Sequence, residues 1–215
     1  MTDVISHVLP ATTLEPMSMQ KPHRPVVRDP GVLESLGEGS DPVAELHAAH
    51  ESAAVLLHAG RAAGDPEAVE RLVAIVSDVG LSTLADLWSR RPARSLPGAL
   101  WRLYALREWV AENPEEAARD YAAGIRFTEP NHVVAGVEPT GPEEIRRVAD
   151  QILRGAFTGD FAVALERAAA FAHVTAVGRA DLAPGVPELK RAERLQQAAR
   201  DLDACARLWR ADDLH

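Results

Sequence analysis

Three side chains on one predicted helix have the types and spacing to hold a metal. His47, His50 and Glu51 lie three and four residues apart, so on a helix they neighbour one another. A metal site needs three or four such donors, and the remainder would have to come from His58, His132 or His173. The order His-Ala-Ala-His-Glu is not the zincin arrangement, in which two histidines stand four apart around a glutamate. The plainer reading is hydrogen-bonded packing on a half-buried helix face, and neither metal nor other cofactor is expected. His173 and Glu166, two turns apart, form an equally weak acid–base pair. Cys205 has no evident histidine partner and reads as a small buried hydrophobe rather than a nucleophile. Phosphate-cradling glycine loops and the Gly-x-Ser-x-Gly elbow are missing. No catalytic residue is therefore expected.

The arginines are more informative. Arg90, Arg91, Arg94, Arg102 and Arg107 fall together with no acidic residue among them, a local reversal of sign in a chain of net charge −9. Trp88, Trp101, Tyr104 and Trp109 lie close by. Arginine and large aromatics are the enriched anchors of protein interfaces, so Arg90, Arg91, Arg94, Trp101, Arg102 and Trp109 are the expected partner-binding surface. The same ingredients grip phosphate and stack bases, which keeps a nucleic-acid or transcription-complex accessory as one alternative. The overall acidity argues against nonspecific nucleic-acid binding. The opposing reading is a solvated helix end plus core aromatics. Arg107 falls on an apolar helix face, where an unpaired guanidinium is very costly. It calls for a buried ion pair, with Asp86, Glu166 or Asp160 as candidates, or else for an anionic ligand. A small-molecule or metal pocket near Arg107 and His47/His50, in an enzyme or sensor, is the other alternative.

These residues need a helical scaffold, and the chain is patterned for one. Ser95 caps and Pro97 opens a helix whose apolar face is Leu96, Ala99, Leu100, Leu103, Leu106 and Val110, with Trp101 and Trp109 on the flanks of the opposite side. A helix apolar on nearly every side belongs inside a bundle. Asp41-Pro42, Asp65-Pro66 and Asn113-Pro114 repeat a cap-plus-proline start, with Gly60, Gly80 and Gly124 as stops. Residues 125–140 read as a long connection broken by Pro130, Gly136 and Pro139. Asp160 caps a second buried, alanine-rich helix running to about Val177. In the last helix Ala192, Leu195, Ala199, Leu202, Ala206 and Trp209 form a heptad-like seam, so residues 188–210 should pack on the domain or on a second copy. Strand patterns and hairpin turns are missing. The expected fold is all-α: one helical-bundle domain, 41–215, of about seven to eight helices, after an irregular proline-rich arm at 1–40.

The totals agree. The 215 residues are 47 % apolar, enough for a substantial core. One cysteine forms no intrachain disulfide and suits a reducing compartment. No long apolar run suggests a membrane span, and Met1-Thr2-Asp3-Val4 has no basic region before an apolar stretch, so a cytoplasmic protein is expected.

Two blocks carry a family resemblance. One runs Pro97-Gly98-Ala99-Leu100-Trp101-Arg102 and on to Arg107-Glu108-Trp109. The other is Gly155-Ala156-Phe157-Thr158-Gly159-Asp160-Phe161 and its continuation to Ala169. Over roughly residues 40–215 the chain resembles an uncharacterised actinobacterial all-helical family with no established activity. The resemblance implies one helical unit and transfers no functional residue. The sequence thus points to a noncatalytic adaptor that docks an unidentified protein partner through its Arg-aromatic surface.

Overall fold

The computed structural model describes residues 41–63, 66–75, 81–136 and 141–215. The arm at 1–40, Asp65, and the stretch from Val76 to Gly80 lie outside the described residues. Nine α-helices and no strand are found among those described. They are α1 (Pro42–Ala63), α2 (Pro66–Val73), α3 (Leu81–Leu84), α4 (Leu96–Glu112), α5 (Pro114–Ile125), α6 (Glu129–Ala135), α7 (Pro142–Thr158), α8 (Phe161–Leu182) and α9 (Val186–Arg210). A π-helical turn, Ala85–Ser89, continues α3. The fold is an all-α bundle.

Local chemistry sets the helix starts. The Asp41 carboxylate accepts from the Val43 N–H at 3.0 Å, Ser95 Oγ from the Gly98 N–H at 3.2 Å, and the Asp160 carboxylate from the Ala162 N–H at 2.8 Å. Each such cap contributes about 1 kcal/mol. Asn113 precedes Pro114 as expected, yet its side chain turns back and donates to Trp109 O, closing α4 rather than opening α5.

The most central element is α8, which lies against α4, α5, α6, α7 and α9. Fourteen of its 22 residues are buried. By length and composition α8 is apolar enough to cross a membrane, but 72 % of that stretch is buried in the bundle, the position of a core helix. Between α4 and its neighbours Trp88, Tyr104 and Phe157 form a tilted row with ring centroids 6.2 and 6.3 Å apart. Trp88 Nε1 donates to Ser52 Oγ, and the Tyr104 hydroxyl donates to Leu72 O at 2.7 Å, so both buried aromatics have their polar atoms satisfied. The α9 seam is used within the chain: Ala192, Ala199, Leu202 and Ala206 are buried, and α9 packs along α8.

Two expectations are corrected. The stretch read as a long connection holds a helix, α6, because Pro130 falls in the first turn, where its missing N–H costs nothing. The Thr128 hydroxyl donates to Gly124 O before it, and Gly136, at φ +71°, ends it. α5 ends at Ile125, beside Gly124 as read, but α8 runs through Gly178 to Leu182 instead of breaking near Val177. The two glycines face each other across a helix crossing. A Cβ on Gly178 would stand 1.7 Å from Asp120 O, and one on Gly124 1.9 Å from Val174 O. Backbone touches backbone there, and only glycine fits.

Candidate functional site

Where α5 and α8 meet closely, α4 and α9 part. The C-terminal half of α9 is tied to the start of α4: Asp201 accepts from Arg102 Nη2 at 3.4 Å, and Cys205 Sγ donates to Ala93 O at 3.5 Å. The N-terminal half of α9 rests on α8 and leaves a groove of about 840 Å³. One wall is the flank of α4 that carries Trp101, Arg102, Ala105, Leu106 and Trp109, with Asn113 beyond. The other wall is Arg191, Arg194, Leu195 and Ala198 of α9. Spacings of three and four residues place each set on one helix face. Glu116 of α5 and Arg179 of α8 complete the lining.

Arg179 is the most constrained of these residues. Its side chain is 8 % exposed. Its Nε donates to Asp120 Oδ2 at 2.8 Å, and its Nη2 donates to Glu116 Oε1. Asp120 is fully buried, and its other oxygen accepts from Arg119 Nη2 at 3.0 Å. The Arg179 guanidinium lies over the Trp109 ring, 5.0 Å from its centroid. Such a cation–π contact contributes about 0.5–2 kcal/mol. Leaving a buried arginine without its carboxylate costs about 3–5 kcal/mol, so this network must form as a unit. The glycine crossing makes it possible: Gly178 brings α8 onto Asp120 O, and the next residue, Arg179, reaches the Asp120 side chain.

The expected interface residues divide into two groups. Trp101, Arg102 and Trp109 line the groove. Arg94 stands beside it and shares Asp201 with Arg102, at 3.5 Å. Arg90 is exposed away from the lining, and Arg91 is spent on structure, donating to Leu87 O and Glu45. Arg107 faces α7 rather than the groove. Its Nε donates to Asp150 Oδ1 at 2.8 Å and its Nη1 to Glu108 Oε2 at 3.1 Å. The partners expected for it are corrected accordingly: Asp86 is exposed, Asp160 caps α8, and Glu166 grips Arg210. Burial works against the Arg107 charge, but the bonds and charges of Asp150 and Glu108 outweigh it and hold its pKa above the ordinary value.

On α1, His47 and Glu51 are exposed and His50 is half-buried. Burial, and then the neighbouring charges of His47, Arg91 and His215, hold His50 below the ordinary histidine value of 6.5. No group of three potential metal ligands occurs among the described residues. The side chain of His132 lies outside them. His173 and Glu166 do line a common cleft of about 460 Å³. There His173 Nδ1 is 2.7 Å from Gln196 Oε1, and the Arg210 hydrogen bond lowers the Glu166 carboxylate from its ordinary value. A carboxylate so held is a poor proton acceptor. Burial pushes the Cys205 thiol up to about 11, which suits a packing residue rather than a nucleophile.

Arg179 and Glu116 escaped the sequence reading, while Arg191, Arg194 and Leu195 fell within 188–210, read there as a packing or dimer seam rather than as a groove wall. The one usable signal was Gly178-Arg179 inside an alanine-rich apolar helix, a charge that has to find a partner. No protein-family model, curated protein or solved structure matches the chain.

Proposed function

We propose that the protein is a noncatalytic cytoplasmic adaptor whose α4–α9 groove receives an acidic amphipathic helix of a partner protein. The observation that carries this is a rim of four arginines, one of them exposed without an ion pair among the described residues, around an apolar floor. Arg102, Arg179, Arg191 and Arg194 line the groove in a chain of net charge −9; Asp201, Asp120 with Glu116, and Glu188 already pair the first three, and of these carboxylates only Glu116 lies in the lining. Trp101, Trp109 and Leu195 lie between them. Two facing helix flanks with aromatic anchors favour a third helix laid between them, its apolar residues inward and its carboxylates on the arginine rim. Arg194 is exposed and has no ion-pair partner among the described residues, so it has charge to offer a partner. Guanidinium groups keep their protons at any physiological pH, which suits binding rather than proton transfer. The cytoplasmic setting is supported by the lone cysteine. The resemblance to an actinobacterial helical family assigns no residue another role.

Titration calorimetry with a synthetic Leu/Glu helical peptide tests the reading. Binding is expected for the wild type and should weaken at least about tenfold in Arg194→Glu. Arg90→Glu, exposed outside the groove, should leave it unchanged. Absence of binding, an equal loss in both variants, or preferential binding of single-stranded DNA would contradict the proposal.

A further inference from the structure

The two carboxylates that hold Arg179 differ in kind. Asp120 is fully buried, and both its oxygens are engaged, one by Arg179 and one by Arg119. Glu116, one turn earlier on α5, is a third exposed and stands in the groove wall. It also faces an adjoining depression of about 460 Å³, lined by Arg119, Arg179 and Arg191 together with Asp120 and Glu188, where Glu188 already holds Arg191 at 3.1 Å and Arg119 is largely exposed. Arg179 therefore has one permanent partner and one that solvent and ligand can reach. Its guanidinium is held in place by the Trp109 ring and by Asp120, so its remaining donors keep their direction whichever carboxylate they meet.

We propose that Arg179 is a carboxylate-exchange site: a carboxylate of the docked helix takes the place of Glu116, which turns outward to solvent on the side of the exposed Arg119. This rests on the docking proposal above. The exchange is inexpensive because the buried guanidinium is never left with Asp120 alone against two empty donors; one anion replaces another. In the free protein Glu116 keeps Arg179 neutralised and the groove assembled. In the complex it is the internal competitor that the partner must displace, and it selects for partners that bring their own carboxylate to that point.

The test is calorimetric titration of the full chain with the Leu/Glu peptide and with a Leu/Gln peptide of the same pattern. Glu116→Gln removes the competitor and should bind the Leu/Glu peptide about tenfold more tightly than wild type. Its affinity for the Leu/Gln peptide should be unchanged. Glu115→Gln removes an exposed carboxylate of the same helix outside the groove and should alter affinity by no more than about twofold. If Glu116→Gln does not fold by circular dichroism, Glu116→Asp, which draws the charge back from Arg179, should tighten binding in the same direction. Wild-type binding with no gain in the Glu116 variants, or an equal gain in Glu115→Gln, overturns the exchange and leaves the docking proposal standing. No binding of the Leu/Glu peptide to any of these proteins overturns both.

Discussion

Two helix crossings in this molecule have opposite outcomes. At α5–α8 the residues at the contact are Gly124 and Gly178, and the backbones touch. At α4–α9 the facing residues include Trp101, Trp109, Arg191 and Leu195, and a groove of about 840 Å³ remains. Helix axes settle at the distance their contact side chains dictate. Glycines let the first pair close into core, whereas indoles and arginines hold the second pair open. The closed crossing also serves the open one, because it delivers Arg179 to the groove lining and seats it on the buried Asp120. Packing and recognition are thus linked through a single pair of adjacent residues, Gly178 and Arg179.

The largest effect should come from filling the closed crossing. Gly178→Val puts side-chain atoms where Asp120 O already lies, and the protein should lose about 3 kcal/mol or more of stability, read from the urea midpoint. A wild-type midpoint would show that the two helices do not meet there. Next comes the tie that bounds the open crossing. Asp201 is nearly buried and serves Arg94, Arg102 and Gln197. Asp201→Ala should cost about 1–3 kcal/mol by leaving Arg102 short of a partner, again measured by denaturation. Arg194→Glu, on the exposed rim, should change stability by no more than about 0.5 kcal/mol while still weakening peptide binding. That separation of stability from binding is what distinguishes groove from core.

Much of this was legible in the sequence. Ser95, Asp160 and Asp41-Pro42 announced their helices because capping is local chemistry between residues two or three apart. The burial of Leu100, Leu103 and Phe171 followed from helical periodicity. Gly178 misled, since it is needed with Gly124 for an approach between helices distant in sequence, and a one-dimensional pattern shows only a glycine's propensity to stop a helix. Arg107 was rightly taken as a residue in need of a carboxylate, but the choice of Asp150 depends on how α4 meets α7, which no local rule supplies. Half the candidate site was visible for the same reason. Trp101, Arg102 and Trp109 share one helix with the arginine run, while Arg179, Arg191 and Arg194 come from helices that only tertiary packing brings alongside.

The smallest effect concerns acid. Arg154 holds Glu70, and Arg210 holds Glu166, below the ordinary value of 4.5, chiefly through side-chain hydrogen bonds. The folded protein therefore binds these protons less readily than the unfolded chain. The stability they contribute is present above 4.5 and fades as pH falls further below it. Both pairs reach solvent, so the slope should be shallow and weaken with salt. Replacing Arg154 and Arg210 by Gln should flatten the pH dependence of the melting temperature in that range. An unchanged slope would assign acid sensitivity to other groups.

The groove is tested most directly by the indole N–H resonances of the four tryptophans during titration with the Leu/Glu peptide. Trp101 and Trp109 line the groove, whereas Trp88 is bonded to Ser52 in the core and Trp209 packs edge-on against Phe161. The Trp101 and Trp109 signals should move together and saturate, with Trp88 and Trp209 unmoved. Shifts confined to Trp209, or no shift at saturating peptide, would contradict a partner seated between α4 and α9.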